Sequence, residues 1–98
     1  MAIQITNNSG VLEIIGNITK ENSTSLQLHF EQVLTKADKI IISMDKVIKI
    51  DSFGVQVLSN LYKKAAKLDK VFFLIGKGNR KVQNAFGKVN YIFRNDFV

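Results

Sequence analysis

A chain of 98 residues, 46% hydrophobic and 22% charged, has the size and mixture of one globular domain. It has no cysteine, which excludes disulfides, thiolate metal sites and cysteine nucleophiles, and no proline, so no proline-rich linker divides it. Its net charge of +6 is lopsided: residues 1–60 carry five Lys against six Asp or Glu (−1), and residues 61–98 carry nine Lys or Arg against Asp69 and Asp96 (+7).

Residues 1–16 lack the positive start and continuous apolar block of a signal peptide. No apolar run reaches the roughly 20 residues that cross a bilayer. A soluble, cytoplasmic protein is expected. Ile3 and Ile5, then Val11, Ile14, Ile15 and Ile18, form two apolar stretches split by Asn7-Asn8-Ser9-Gly10. Asn, Ser and Gly accept turn conformations, so the pattern predicts a β-hairpin with strands near 3–6 and 11–18. Leu26, Phe30, Val33, Leu34 and Ala37 then follow helical spacing, predicting a helix near 20–36 that Thr19 or Ser23 can cap.

Residues 39–44 (KIIISM) are dominated by β-branched side chains, the composition of a buried strand. A loop containing Val47 and Ile50 leads to Asp51-Ser52-Phe53-Gly54 and a second helical pattern near 53–67, with Gly54, Leu58, Leu61, Tyr62 and Ala65 on one face. Residues 71–75 (VFFLI) predict another strand, closed by Gly76 and Gly78. Val82, Ala85, Phe86 and Val89 predict a last helix near 79–87, with Phe93 and Phe97 folding back onto the core. Alternating strands and helices imply one α/β domain with a partly parallel sheet and right-handed crossovers.

Candidate chemistry is sparse. His29 is the one histidine, with no second histidine to share a metal and no Ser/His/Asp ordering that pairs a nucleophile with a base. Neither catalysis, nor a metal, nor a cofactor is expected. Gly76-Lys77-Gly78-Asn79-Arg80-Lys81 lies between a strand and a helix, where phosphate loops occur. It lacks the third glycine of a dinucleotide fingerprint and the Gly-Lys-Ser/Thr end of a P-loop. The reading it favours is a tight strand-to-helix turn with solvated bases. The basic C-terminal half allows a nucleic-acid-binding module as an alternative, but Phe72 and Phe73 fit a core strand better than a stacking platform.

The segment 39–58 (KIIISMDKVIKIDSFGVQVL) carries more. Ser52 stands where an N-cap belongs, its hydroxyl placed to accept from the free N–H groups of the first turn. The same N–H groups and the helix dipole would hold a phosphate there. Asp51 can order the turn or assist phosphoryl transfer, and Gly54 allows close approach of helix and sheet. On a helical wheel Phe53 lies well off the apolar face, sharing its arc with Gln56, Asn60, Lys64 and Lys67. It is either an anchor for a partner or a cover for the neighbouring loop.

In these residues the chain resembles the STAS domain family of bacterial anti-sigma-factor antagonists and sulfate-transporter tails. Gly16-Asn17-Ile18-Thr19 is similar to the family's early Gly-x-apolar-Asp turn, residues 39–54 to its strand, loop and Asp-Ser-Ser/Thr/Ala-Gly motif, residues 71–76 to its apolar strand ending in Gly, and residues 89–93 to its closing apolar segment. Two positions depart: the turn Asp is Thr19, and the small residue after the serine is Phe53. The resemblance implies a single STAS-like domain with a four- to five-stranded mixed sheet and helices packed mainly on one side. It implies partner switching, in which a kinase-type anti-sigma factor is bound, phosphorylates Ser52 and is released, and a serine phosphatase resets the protein. The implied partner surface is Thr19, Asp51, Ser52, Phe53, Gly54, Gln56 and Asn60, on a monomer. The same fold also serves as the small STAS subunit of a lipid-transport ATP-binding-cassette complex, which is the alternative within the family.

Overall fold

The structure is a computed structural model that describes residues 3–87 and 96–98. Strands β1 (Gln4–Asn8) and β2 (Val11–Ile18) form the antiparallel hairpin that the sequence predicts. Its two-residue turn needs positive φ at both positions, and Ser9 (φ 56°) and Gly10 (φ 89°) supply it. Helix α1 (Lys20–Lys36) follows, then β3 (Lys39–Ser43), β4 (Val47–Ile50), α2 (Ser52–Lys67), β5 (Val71–Ile75) and α3 (Arg80–Phe86).

The sheet is mixed and five-stranded. It runs β1-β2-β3-β5, antiparallel at β1–β2 and parallel elsewhere, with β4 also paired to β2. β2 serves two partners in succession: Val11–Glu13 pair with β3, and Gly16–Ile18 pair with β4. The change of partner falls at a register shift beside Gly16, whose φ of 114° only glycine adopts without strain. The expected loop around Val47 and Ile50 is therefore corrected to a strand. Its four residues alternate too little to be read locally, and the pairing with β2 that creates it is non-local.

Side-chain alternation assigns the two sheet faces. Ile14 and Ile18 of β2, Ile40 and Ile42 of β3, and Phe72 and Leu74 of β5 are buried. They meet Leu26, Phe30 and Leu34 of α1 and Leu58, Leu61 and Ala65 of α2 in one core. Their neighbours Glu13, Ile15, Ile41, Phe73 and Ile75 are only half-buried, so the long helices cover a single face. The helical spacings predicted for 20–36 and 53–67 face the core, with Leu26, Phe30, Leu34, Gly54, Leu58, Leu61 and Ala65 buried and Val33, Ala37 and Tyr62 half-buried at its margin. Phe97 folds onto the core, where its ring meets Phe86 at 5.5 Å, and it bridges to Leu74 beside β5. The expectations for Val89 and Phe93 lie outside the described residues.

α2 ends in a Schellman motif: Lys70 N donates to Ala65 O at 2.8 Å and Asp69 N to Ala66 O at 3.1 Å, around Asp69 in the left-handed region (φ 58°). The Lys70 ammonium then donates to the Leu34 carbonyl, joining the end of α2 to the last turn of α1. No helix among the described residues is long and apolar enough to cross a membrane.

Candidate functional site

β4 delivers the chain to the start of α2 next to the start of α1. Asp51 N donates to Ile18 O at 3.1 Å, which holds Asp51 extended (φ −106°, ψ −176°) at the edge of the sheet. From there its carboxylate reaches both helices. Oδ1 accepts from Phe53 N at 3.0 Å and Gly54 N at 3.1 Å, and Oδ2 accepts from Lys20 N at 3.0 Å. One side chain thus satisfies N–H groups at two helix N-termini, where both dipoles favour negative charge. The expectation that Ser52 caps α2 is corrected: Asp51 is the cap, because β4 aims its side chain at the helix axis, and Ser52 is the first helical residue with its side chain exposed.

Thr19 is the N-cap of α1 and half-buried. Its N–H donates to Asn22 Oδ1 at 2.9 Å, while Asn22 Nδ2 donates to Asn17 O at 2.7 Å, so the Gly16–Thr19 turn is tied down by a residue that sequence reasoning passed over. The Thr19 hydroxyl donates to Glu21 Oε2 at 2.7 Å. That bond holds the Glu21 carboxyl below its usual range, with a smaller lowering from its own backbone N–H. Ser23, the other candidate cap, is buried inside α1 and donates to Lys20 O at 3.1 Å.

Gly54 is required by packing. A Cβ there would lie 2.6 Å from Ile18 Cγ2 and 2.9 Å from Ile50 Cγ1, closer than real side chains come, and 3.0 Å from Ile18 O, a tight contact. Phe53 is 48% exposed, and the Lys20 ammonium lies 5.5 Å from its ring centroid. It leans toward α1 and leaves Ser52 open. The Gln56 amide donates to Asn60 Oδ1 at 2.9 Å. The structure therefore brings Thr19, Asp51, Ser52 and Phe53 to one rim and sets Gln56 and Asn60 further along α2; the expectation that Gly54 belongs to the partner surface is corrected, because it is buried against Ile18 and Ile50.

Two of the depressions beside that helix are lined by Gln56 or Asn60. A cleft of about 440 Å³ is lined by Ile50, Asp51, Ser52, Val55, Gln56, Ser59, Lys63 and, from α3, Ala85. Another of about 370 Å³ is lined by Asn60, Lys63, Lys64 and Lys67. α3 is placed beside the first cleft by Asn79. Asn79 Oδ1 caps α3 by accepting from Lys81 N (3.1 Å) and Val82 N (3.4 Å), and its Nδ2 donates to Met44 O (3.0 Å) and Val47 O (2.9 Å). The Gly76–Lys81 segment is thus a capped turn stitched to the β3–β4 connection. An Asn just before a helical pattern was the available signal for it. His29 is exposed, its ring 5.2 Å from Phe30. Among the described residues no three His, Cys, Asp or Glu side chains gather as a metal site.

A half-wrapped mixed sheet with an acid-capped Asp-Ser-x-Gly helix start at its edge defines an α/β domain of known type. The STAS domain profile matches residues 1–90, and the chain belongs to that family. Solved structures share the fold. A Thermotoga maritima protein assigned as an anti-sigma factor antagonist is 22% identical over 97% of this chain and 84% of its own, with a TM-score of 0.76. An anti-sigma factor antagonist from Mycobacterium paratuberculosis is 20% identical over 88% of this chain and 77% of its own (TM-score 0.67). The anti-sigma factor antagonist SpoIIAA in its unphosphorylated form is 14% identical over 88% and 78% (TM-score 0.69). No curated protein matches the chain at a significant level.

Proposed function

We propose that this STAS domain is an anti-sigma-factor antagonist that works by partner switching. It binds a kinase-type anti-sigma factor through the rim formed by Thr19, Asp51, Ser52 and Phe53 and the adjoining Gln56 and Asn60, with Gly54 seating the rim on the sheet. Phosphorylation of Ser52 releases the partner, and a serine phosphatase restores the binding form. The observation that carries this reading is an exposed Ser52 hydroxyl on a rim already held rigid by the three backbone bonds of Asp51. A kinase can reach it without unfolding the helix. Phe53, exposed on the same rim, supplies the aromatic anchor that partner surfaces favour. The antagonists with the same fold support the assignment, and no step of it needs a cofactor or a reaction of the chain's own.

A phosphate on Ser52 adds about −1.5 to −2 charges. The helix dipole favours it by about 0.3–1 kcal/mol, but the Asp51 carboxylate beside it already holds the first-turn N–H groups and repels it. The two effects oppose, so the fold stays intact and the cost falls on the partner surface that must desolvate the charge. The test is to incubate the protein with its cognate anti-sigma kinase and ATP, map the modified residue by mass spectrometry, and measure partner affinity. Ser52→Asp is expected to weaken the complex at least tenfold with an unchanged melting temperature. Ser52→Ala, which removes no cap, keeps both binding and stability. A Ser52→Asp variant that binds as tightly as wild type would remove the switch from this residue.

A further inference from the structure

Along one side of α2, Ser52, Ser59 and Lys63 fall at i, i+7 and i+11, and all three line the 440 Å³ cleft whose apolar wall is Ile50, Val55 and Ala85. Ser59 is the anomaly of that wall. It is 3% exposed, and its Oγ has no hydrogen-bond partner among the described residues. Buried hydroxyls are nearly always bonded, in helices commonly to the carbonyl one turn back, and an orphan is costly. A residue that weakens the fold in this way, on the wall of a cleft, fits a binding role. Alanine would pack there without the penalty.

The charges around the cleft are also unevenly used. The Asp51 carboxylate at one end is committed to the N–H groups of Lys20, Phe53 and Gly54. At the other end Lys63 is exposed, and the ion pairs among the described residues join Lys46 to Glu13 and Lys64 to Glu31, not Lys63 to any carboxylate. The uncommitted charge of the cleft is therefore positive and sits at its far end.

Length selects the occupant. Eleven residues at a rise of about 1.5 Å separate Ser52 from Lys63 by about 16 Å. That is the span of about five extended residues at about 3.3 Å each, and a compact metabolite would fill only part of it. We propose, as a refinement that rests on the partner-binding reading above, that this cleft receives an extended acidic segment of the protein partner. Its carboxylate pairs with Lys63, a backbone carbonyl midway accepts from the Ser59 hydroxyl once that buried side chain rotates toward the cleft it lines, and an apolar side chain packs on Ile50, Val55 and Ala85.

The probes are two capped pentapeptides, Ala-Leu-Ala-Leu-Glu and the same peptide ending in Gln, titrated into the full chain and followed by amide chemical shifts. The Glu peptide is expected to shift Ser59, Lys63 and Ala85 and to bind about two- to fivefold more tightly than the Gln peptide at low salt, the difference fading as salt rises. Lys63→Gln should abolish that preference. Ser59→Ala should raise the melting temperature, because an unsatisfied hydroxyl is removed, and yet weaken the Glu peptide by about two- to tenfold. These opposite signs separate a binding role from a packing one. Equal affinity for the two peptides, shifts confined to other surfaces, no binding at millimolar peptide, or a Ser59→Ala variant that binds undiminished would each overturn the proposal. The switch is tested separately. A partner complex weakened by Ser52→Asp but indifferent to Lys63→Gln and Ser59→Ala sinks the cleft alone, whereas peptide binding in the cleft with a partner indifferent to Ser52→Asp sinks the switch alone.

Discussion

Removing the Asp51 carboxylate should cost more than removing an ordinary helix cap, because it serves two helices. Asp51→Ala deletes the acceptor for Phe53 N and Gly54 N, a cap worth about 1 kcal/mol within a range of about 0.5–2. It also deletes the acceptor for Lys20 N, a charge-assisted bond at the start of α1, and the charge–dipole attraction there of about 0.3–1 kcal/mol. The bonds are half-exposed, so water recovers part of the loss, and a total of about 2–3 kcal/mol follows. In a domain of this size about 1 kcal/mol moves the melting temperature by about 4–8 °C, which predicts a drop on the order of 10–20 °C. Asp51→Asn divides the two roles. Its amide oxygen can still cap α2, but its amide nitrogen would then face Lys20 N–H, donor against donor. Asn should therefore lose roughly the α1 share alone, and faster hydrogen exchange should appear at the start of α1 but not at Phe53 and Gly54. Urea melts of the two variants, with amide exchange on each, check the division. An Asp51→Ala variant within about 0.5 kcal/mol of wild type, a value ordinary for surface changes, would refute the shared cap.

Gly54→Ala forces a Cβ to within 2.6 Å of Ile18 Cγ2 and 2.9 Å of Ile50 Cγ1, so both side chains must shift while Ile18 O limits retreat at 3.0 Å, and a loss of about 1–3 kcal/mol by thermal melting is expected. Asn79→Ala removes the α3 cap and the bonds to the Met44 and Val47 carbonyls, costing about 2–4 kcal/mol in urea melts and loosening α3 first in hydrogen exchange. Glu21 should titrate below its ordinary value of 4.5 by carboxyl NMR, and Thr19→Val should raise the midpoint. Because its folded pKa is depressed, its contribution to stability is present above the unfolded value and is lost as pH falls through the folded one.

Periodicity alone located most of this fold. β2, α1 and β5 stand at the predicted residues, and β1, β3, α2 and α3 within two of them, because apolar side chains at period 2 or 3.6 can be buried only by a strand or a helix of matching phase. The Asp-Ser-x-Gly start of α2 and the close packing of Gly54 were legible for the same reason: a glycine on the apolar stripe of a helix invites contact with a sheet. The rest depended on partners distant in sequence. β4 exists because the bulge at Gly16 frees the end of β2 to pair with it, and four residues with Ile48 and Lys49 exposed carry no local sign of that. Asp51 and Ser52 are both good caps, and adjacent residues cannot be ranked by propensity. The choice fell to Asp51 through its bond to Ile18 O and the arrival of Lys20 N beside it, 31 positions away in sequence. The cleft is the extreme case. Ser59 sits between Leu58 and Leu61 as one polar interruption of a buried face, and nothing in that stretch announces that Ala85 of α3 will stand opposite it. Local pattern determines which segments form and which way they face, whereas the meeting of side chains from separate segments is decided only when the whole chain closes around its core.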